Sequence, residues 1–206
     1  MAGLPNEYQA LEEVLGNTLV VRGYQRHDAD GEQIRQHMAE LDLLPKPFLS
    51  KLKREGLKGI EIRPGSVVDF PSLGLLPGAH PPGYPEGTTY RAVPAIYNRE
   101  SKTIFLGSRP KSYRGTALHE IFHAAGNLLG YDDDFRVRQA YARSFERLED
   151  FYKDRGGHSA RGRREFFADS AANVIMETEE AVLEYGRSYV EFVLDHVLKG
   201  RTGRTK

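Results

Sequence analysis

The stretch Thr116-Ala117-Leu118-His119-Glu120-Ile121-Phe122-His123-Ala124-Ala125-Gly126-Asn127-Leu128-Leu129 decides how the rest of the chain is read. Its apolar residues recur at helical spacing, Thr116 is placed to cap the start, and Gly130 stands just past the end. One helix is therefore expected from Thr116 to Leu129. His119 and His123 are four apart, so both imidazoles leave one face about one turn from each other. With 7 histidines and 18 glutamates in 206 residues, the His-Glu-x-x-His pattern has a chance expectation of roughly 0.02. Leu118, Ile121, Phe122, Ala125 and Leu128 surround the rings with apolar bulk, where two unpartnered imidazoles are unfavourable. A shared zinc ion, about 2.0–2.1 Å from one nitrogen of each ring, satisfies both. Glu120 lies about 100° further around the helix. From there it can take a proton from a zinc-bound water and later pass it to a leaving amine.

A catalytic zinc needs a third protein ligand and one open position. In one familiar extension, a glycine stands three residues after the second histidine and another histidine three beyond that. Gly126 fits, but Leu129 occupies the histidine position, so the metzincin pattern fails. The run Asp132-Asp133-Asp134 offers alternative ligands, although three acids opening a helix also serve as caps and complement its dipole. Arg164-Glu165-Phe166-Phe167-Ala168-Asp169 is the better source. There Glu165 and Asp169 share a helix face, Glu165 as third ligand and Asp169 as acceptor from the far ring nitrogen of a ligand histidine.

Taken together, His119-Glu120-Ile121-Phe122-His123 and, 42 residues after the second histidine, Glu165-Phe166-Phe167-Ala168-Asp169 resemble the catalytic domain of anthrax lethal factor and the related secreted Pro-Pro endopeptidases. The resemblance is clearest from about Thr103 to Asp169. It implies a gluzincin: a zinc endopeptidase with ligands His119, His123 and Glu165, general base Glu120, and an extended peptide as partner. It further implies a secreted or delivered effector. That family carries an oxyanion-stabilising tyrosine seven residues before the glutamate ligand, where this chain has His158. A protonated imidazole can donate to an oxyanion in the same way, and Tyr152 is the fallback. A zinc-stabilised binding module, or a weakly active pseudo-protease of the same fold, is the alternative.

Outward from this core, a single zincin-like α+β domain is expected over residues 1–206. Residues 1–55 read as helical, with helices at Glu7–Leu15 and Asp30–Leu43, a short strand at Leu19–Val21 and a helical turn at Phe48–Glu55. Residues 56–130 hold a small twisted mixed sheet, from strands at Gly59–Arg63, Ser66–Phe70, Tyr90–Tyr97 and Lys102–Leu106, together with a Pro/Gly-rich loop over Pro71–Gly87. The Tyr90–Leu106 hairpin offers an edge onto which an extended peptide can add. Residues 131–200 read as helices from Asp132 to about Lys153, from near Arg164, and from Glu179 to Leu198. His27, His37 and His196 are expected at the surface. Arg155, Arg161, Arg163 and Arg164 form a basic cluster where a helix begins, an unfavourable place for cations. Charged residues make up 28% of the chain with a net charge of +0, which argues against nucleic acid as partner. There is no cysteine, hence neither a disulfide nor a thiolate metal site. No apolar run reaches the roughly 18 residues of a membrane span, and the first residues lack the pattern of a signal peptide.

Overall fold

The computed structural model describes residues 6–81, 84, 86–149, 152–153 and 160–197. Strands β1 (Leu19–Val21), β2 (Gly59–Arg63), β3 (Ala95–Asn98) and β4 (Thr103–Gly107) form one sheet in the order β1-β2-β4-β3. The first three in that order are parallel and β3 runs antiparallel along the outer edge of β4. The helices are α1 (Gln9–Leu15), α2 (Ala29–Asp42), α3 (Lys46–Arg54), α4 (Thr116–Leu129), α5 (Phe135–Ser144), α6 (Ala160–Met176), α7 (Thr178–Tyr185) and α8 (Arg187–Val197). This is the expected α+β arrangement, with a mixed sheet and helices on both sides of it in sequence.

β2 alternates inward Ile60 and Ile62 with half-exposed Glu61 and Arg63, whereas β4 is buried along its whole length. Asn98 shapes the β3–β4 turn, its side-chain oxygen accepting from the N–H groups of Glu100 and Ser101, which is the local bonding that suits asparagine to turns. Two expected strands are shorter or absent. Ser66–Phe70 instead makes a 3₁₀ turn at Val67–Asp69, because the Asp69 carboxylate accepts from the Ser66 N–H at 2.8 Å. Tyr90–Ala92 is likewise a 3₁₀ turn, and the strand begins only after Pro94.

The C-terminal helices differ from expectation in the same local way. The helix opened by Asp134 stops at Ser144 rather than near Lys153, since the chain turns to bring the Tyr152 carbonyl to the Tyr141 hydroxyl at 2.7 Å. Gly186, in a left-handed-side conformation with φ +87°, divides the last expected helix into α7 and α8. α6 starts four residues before Arg164, and Gly162 makes that possible: a Cβ there would stand 2.0 Å from the Tyr152 carbonyl oxygen.

α4 is the central helix, buried from Thr116 to Phe122. Phe122 packs edge-on to Phe167 of α6, with ring centroids 5.9 Å apart, and at 6.1 Å from Phe48 of α3. Its start is not capped by Thr116, whose hydroxyl donates to the Tyr113 carbonyl. Gly115 holds the cap position at φ +96°. The buried Glu40 carboxylate of α2 accepts from the N–H groups of Gly115 and Ala117, each at 2.8 Å. His37, on the same helix, is also buried and not at the surface. Burial lowers its pKa, and its Nε2 lies 3.0 Å from the Gly107 carbonyl at the end of β4. His196 too is buried, against Phe192 and Tyr131.

Glu40→Ala is expected to cost about 1–3 kcal/mol, because buried N–H groups at the head of α4 lose their acceptor. Urea unfolding of the variant checks this, and an unchanged midpoint would overturn the capping role.

Candidate metal centre

His119 and His123 leave α4 on one face, their ring centroids 4.5 Å apart. α6 crosses in front of them and brings Glu165 opposite both rings. The Glu165 Oε2 lies 3.2 Å from His123 Nε2 and 3.5 Å from His119 Nε2. The three ligand atoms are all within 4.8 Å of one another, and this is the group of three able to hold a metal among the described residues. Atoms about 2.0–2.2 Å from one ion at tetrahedral angles stand roughly 3.3–3.6 Å apart, so the spacing suits zinc. Two nitrogens and one carboxylate oxygen are also the donor set of a catalytic zinc with one position left open.

The surrounding charges hold this arrangement. His119 Nδ1 lies 2.5 Å from Asp169 Oδ1, so Nδ1 is the donor and Nε2 is left as the ligating nitrogen. The Tyr152 hydroxyl donates to the other oxygen of Asp169. Burial opposes charge on Glu165, yet hydrogen bonds and the charges of His119 and His123 hold its carboxyl well below the usual range. Burial likewise opposes charge on His119, and Asp169 and Glu165 outweigh it, raising the imidazole well above its ordinary pKa. A cation between the three groups answers the same electrostatic demand.

Glu120 stands beside the triad and outside it. The N–H of Tyr97 donates to its Oε2 at 2.5 Å, and burial pushes its carboxyl up. That N–H belongs to the free edge of the sheet. Gly107 N–H bonds to Pro94 O, and the β3–β4 register then turns the backbone groups of Ala95 and Tyr97 away from β4. Ala95 lines the cleft on both sides of the histidines. The cleft has one cavity of ≈ 570 Å³ and a second of ≈ 350 Å³, with His119, Glu120, Glu165 and Tyr84 common to both.

The sequence profile described as "Anthrax toxin lethal factor, N- and C-terminal domain" matches residues 6–185. The chain belongs to the anthrax toxin lethal factor family. Among solved structures it is similar to the Pro-Pro endopeptidase PPEP-2 from Paenibacillus alvei, with a TM-score of 0.65 and 18% identity over 88% of this chain and 98% of that one. At that identity the likeness is one of fold. Curated protein sequences yield no match.

In this lethal factor-family chain the structure brings together His119, Glu120, His123, Glu165 and Asp169, all singled out from sequence. His158 lies outside the described residues. Two acids of the 132–134 run are engaged elsewhere: Asp133 pairs with Arg163 at 2.6 Å, and Asp134 caps α5 and pairs with Arg136; Asp132 is outside the three-ligand group as well. Two tyrosines in the cleft went unnoticed in sequence. Tyr84 comes from the Pro/Gly-rich loop, its phenol pushed up to about 12 by burial and by the charges of Glu120 and Glu165. Tyr113, from the segment before α4, places its hydroxyl 3.4 Å from Asp169. Neither sits in a periodic pattern, and only the folded loops carry them to the site. No helix among the described residues is long and apolar enough to cross a membrane.

Asp169→Asn is expected to weaken metal binding at the candidate centre about 10–100-fold, because the tautomer and orientation of His119 lose their anchor. Competition against a chromophoric chelator measures it, and parent-like affinity would refute the anchoring role.

Proposed function

We propose that this protein is a zinc endopeptidase. The observation that carries the proposal is the pairing of a three-ligand cluster, His119, His123 and Glu165, with a buried carboxylate, Glu120, held beside it but not part of it. A purely structural site has no need of that carboxylate, and it would normally close the fourth position with protein. Family membership and the fold shared with a Pro-Pro endopeptidase support the same reading.

When bound, zinc supplies Lewis acidity and lowers the pKa of a coordinated water towards 7. His119, His123 and Glu165 would hold it, with Asp169 orienting His119. The chain's own groups do the rest. Ala95, with its N–H and C=O on the open edge of β3, binds the peptide in extended form by adding it as a strand. Glu120 takes one proton from the attacking water as the carbon–oxygen bond forms. It then delivers a proton to the amide nitrogen as the carbon–nitrogen bond breaks, which leaves a carboxylate and an amine. His158 is assigned to the oxyanion as the carbonyl becomes tetrahedral, with Tyr152 as the alternative donor. A secreted or delivered effector is the biological setting that the family suggests.

Elemental analysis beside a peptide-library digest tests the assignment. The parent should carry about one zinc per chain and cleave a subset of peptides, with Pro-Pro sequences included among those offered. Glu120→Gln should keep the zinc and lose activity by about 100-fold or more. His123→Ala should lose both. A fully active Glu120→Gln, or a parent that takes up no zinc, would reject the proposal.

A further inference from the structure

The ≈ 350 Å³ arm of the cleft, beyond His123, is lined by three guanidinium groups: Arg99, Arg161 and Arg164. Arg99 follows β3 in the hairpin turn, and the other two lie in the first turns of α6. Arg163, their neighbour, is already committed, donating to the Asp132 carbonyl and the Asp133 carboxylate. Arg164 spends one N–H on the Ala160 carbonyl, out of the five that a guanidinium carries. Asp132 and Glu165 act on Arg164 through space, yet neither Arg99 nor Arg164 forms an ion pair among the described residues. Arg161 and Arg164 stand in the first turns of α6, and a helix N-terminus carries partial positive charge of its own, so cations are disfavoured there. One anion in this arm answers the positive charge that Arg99 and Arg164 bring to it.

We infer that this arm is a specificity subsite for a carboxylate of the bound peptide, held by Arg99 and Arg164. The inference rests on the endopeptidase reading for its ligand class. An extended peptide on the edge of β3 passes Ala95, Ile96 and Tyr97, which line the same arm, so its backbone leads a side chain or a chain end to the arginines. Planar guanidinium groups match a carboxylate with two parallel hydrogen bonds. Two sources share this chemistry, an internal Asp or Glu side chain and the C-terminal carboxylate.

The test uses zinc-loaded Glu120→Gln protein and fluorescein-labelled octapeptide mixtures, read by anisotropy. One set fixes Asp at each position in turn with an amidated end. A matched set fixes Asn, and a third ends in a free carboxylate. At one position Asp should bind about tenfold or more tightly than Asn, an advantage that added salt weakens. The advantage should vanish in Arg99→Ala/Arg164→Ala, whose affinity for the Asn mixtures is unchanged. A preference for the free terminus alone would assign the carboxylate to the chain end. Equal binding of the three sets, or binding by none, would overturn the subsite. Cleavage by the parent is scored separately: turnover with no acidic preference removes the subsite and leaves the peptidase, and an acidic preference in binding with no turnover does the reverse.

Discussion

The geometry of the site hangs on the Glu40 carboxylate. It reaches from α2 to the head of α4 and accepts from both Gly115 and Ala117. A helix that begins inside a protein exposes N–H groups with no partner of their own, and each must find an acceptor or be left buried and unsatisfied. Glu40 is one member of a stripe. Asp30, Gln33 and His37 lie on the same face of α2, at the spacing of successive turns. Asp30 accepts from Ser108 and Arg109, Gln33 donates to Ser112, and His37 meets Gly107. The connector from β4 to α4 thus has its polar groups satisfied by a helix from the other end of the sequence. Because that connector is fixed, the register of α4, and with it the direction of His119 and His123, is fixed too.

The second half of the site is set by α6. Glu165 and Asp169 are carried past the two imidazoles by aromatic packing of Phe166 and Phe167, both buried, against α4, Tyr141, Tyr185 and Tyr189. Gly162 lets the first turn of α6 approach the Tyr152 carbonyl, which in turn places the Tyr152 hydroxyl on Asp169. The result is a chain of contacts from Tyr152 through Asp169 to His119, and from there to Glu165 and His123. Two carboxylates held ionised in a buried site demand positive charge nearby. Protonated imidazoles can supply it, and a divalent ion held by the same two rings in their neutral form would supply it in their place.

Several elements were legible locally. The spacing of His119, Glu120 and His123, the stop at Gly130, and the paired Glu165 and Asp169 marked the two helices that meet at the candidate metal centre, because helical periodicity is a property of neighbouring residues. The strands at Leu19–Val21 and Gly59–Arg63 were legible for the same reason. Ser66–Phe70 was not, since its alternating apolar pattern lost to a side-chain bond from Asp69 that satisfies the backbone without a sheet partner. His37 and His196 read as surface residues beside charged neighbours, but tertiary contacts bury both rings, His37 against the end of β4 and His196 against Phe192 and Tyr131.

By itself, the sequence determined the donor atoms of the site and which pairs of them share a helix face, because both follow from residue type and a period of 3.6. It also determined that no thiolate takes part. The tertiary structure alone decided that α6 lies across α4 at a distance that closes the triad, that Glu40 rather than Thr116 caps the active-site helix, and that Tyr84, Tyr113 and Arg99 face the cleft. These depend on contacts between residues tens of positions apart, where burial and unsatisfied backbone groups outweigh local preference. No pattern of neighbouring residues encodes that balance.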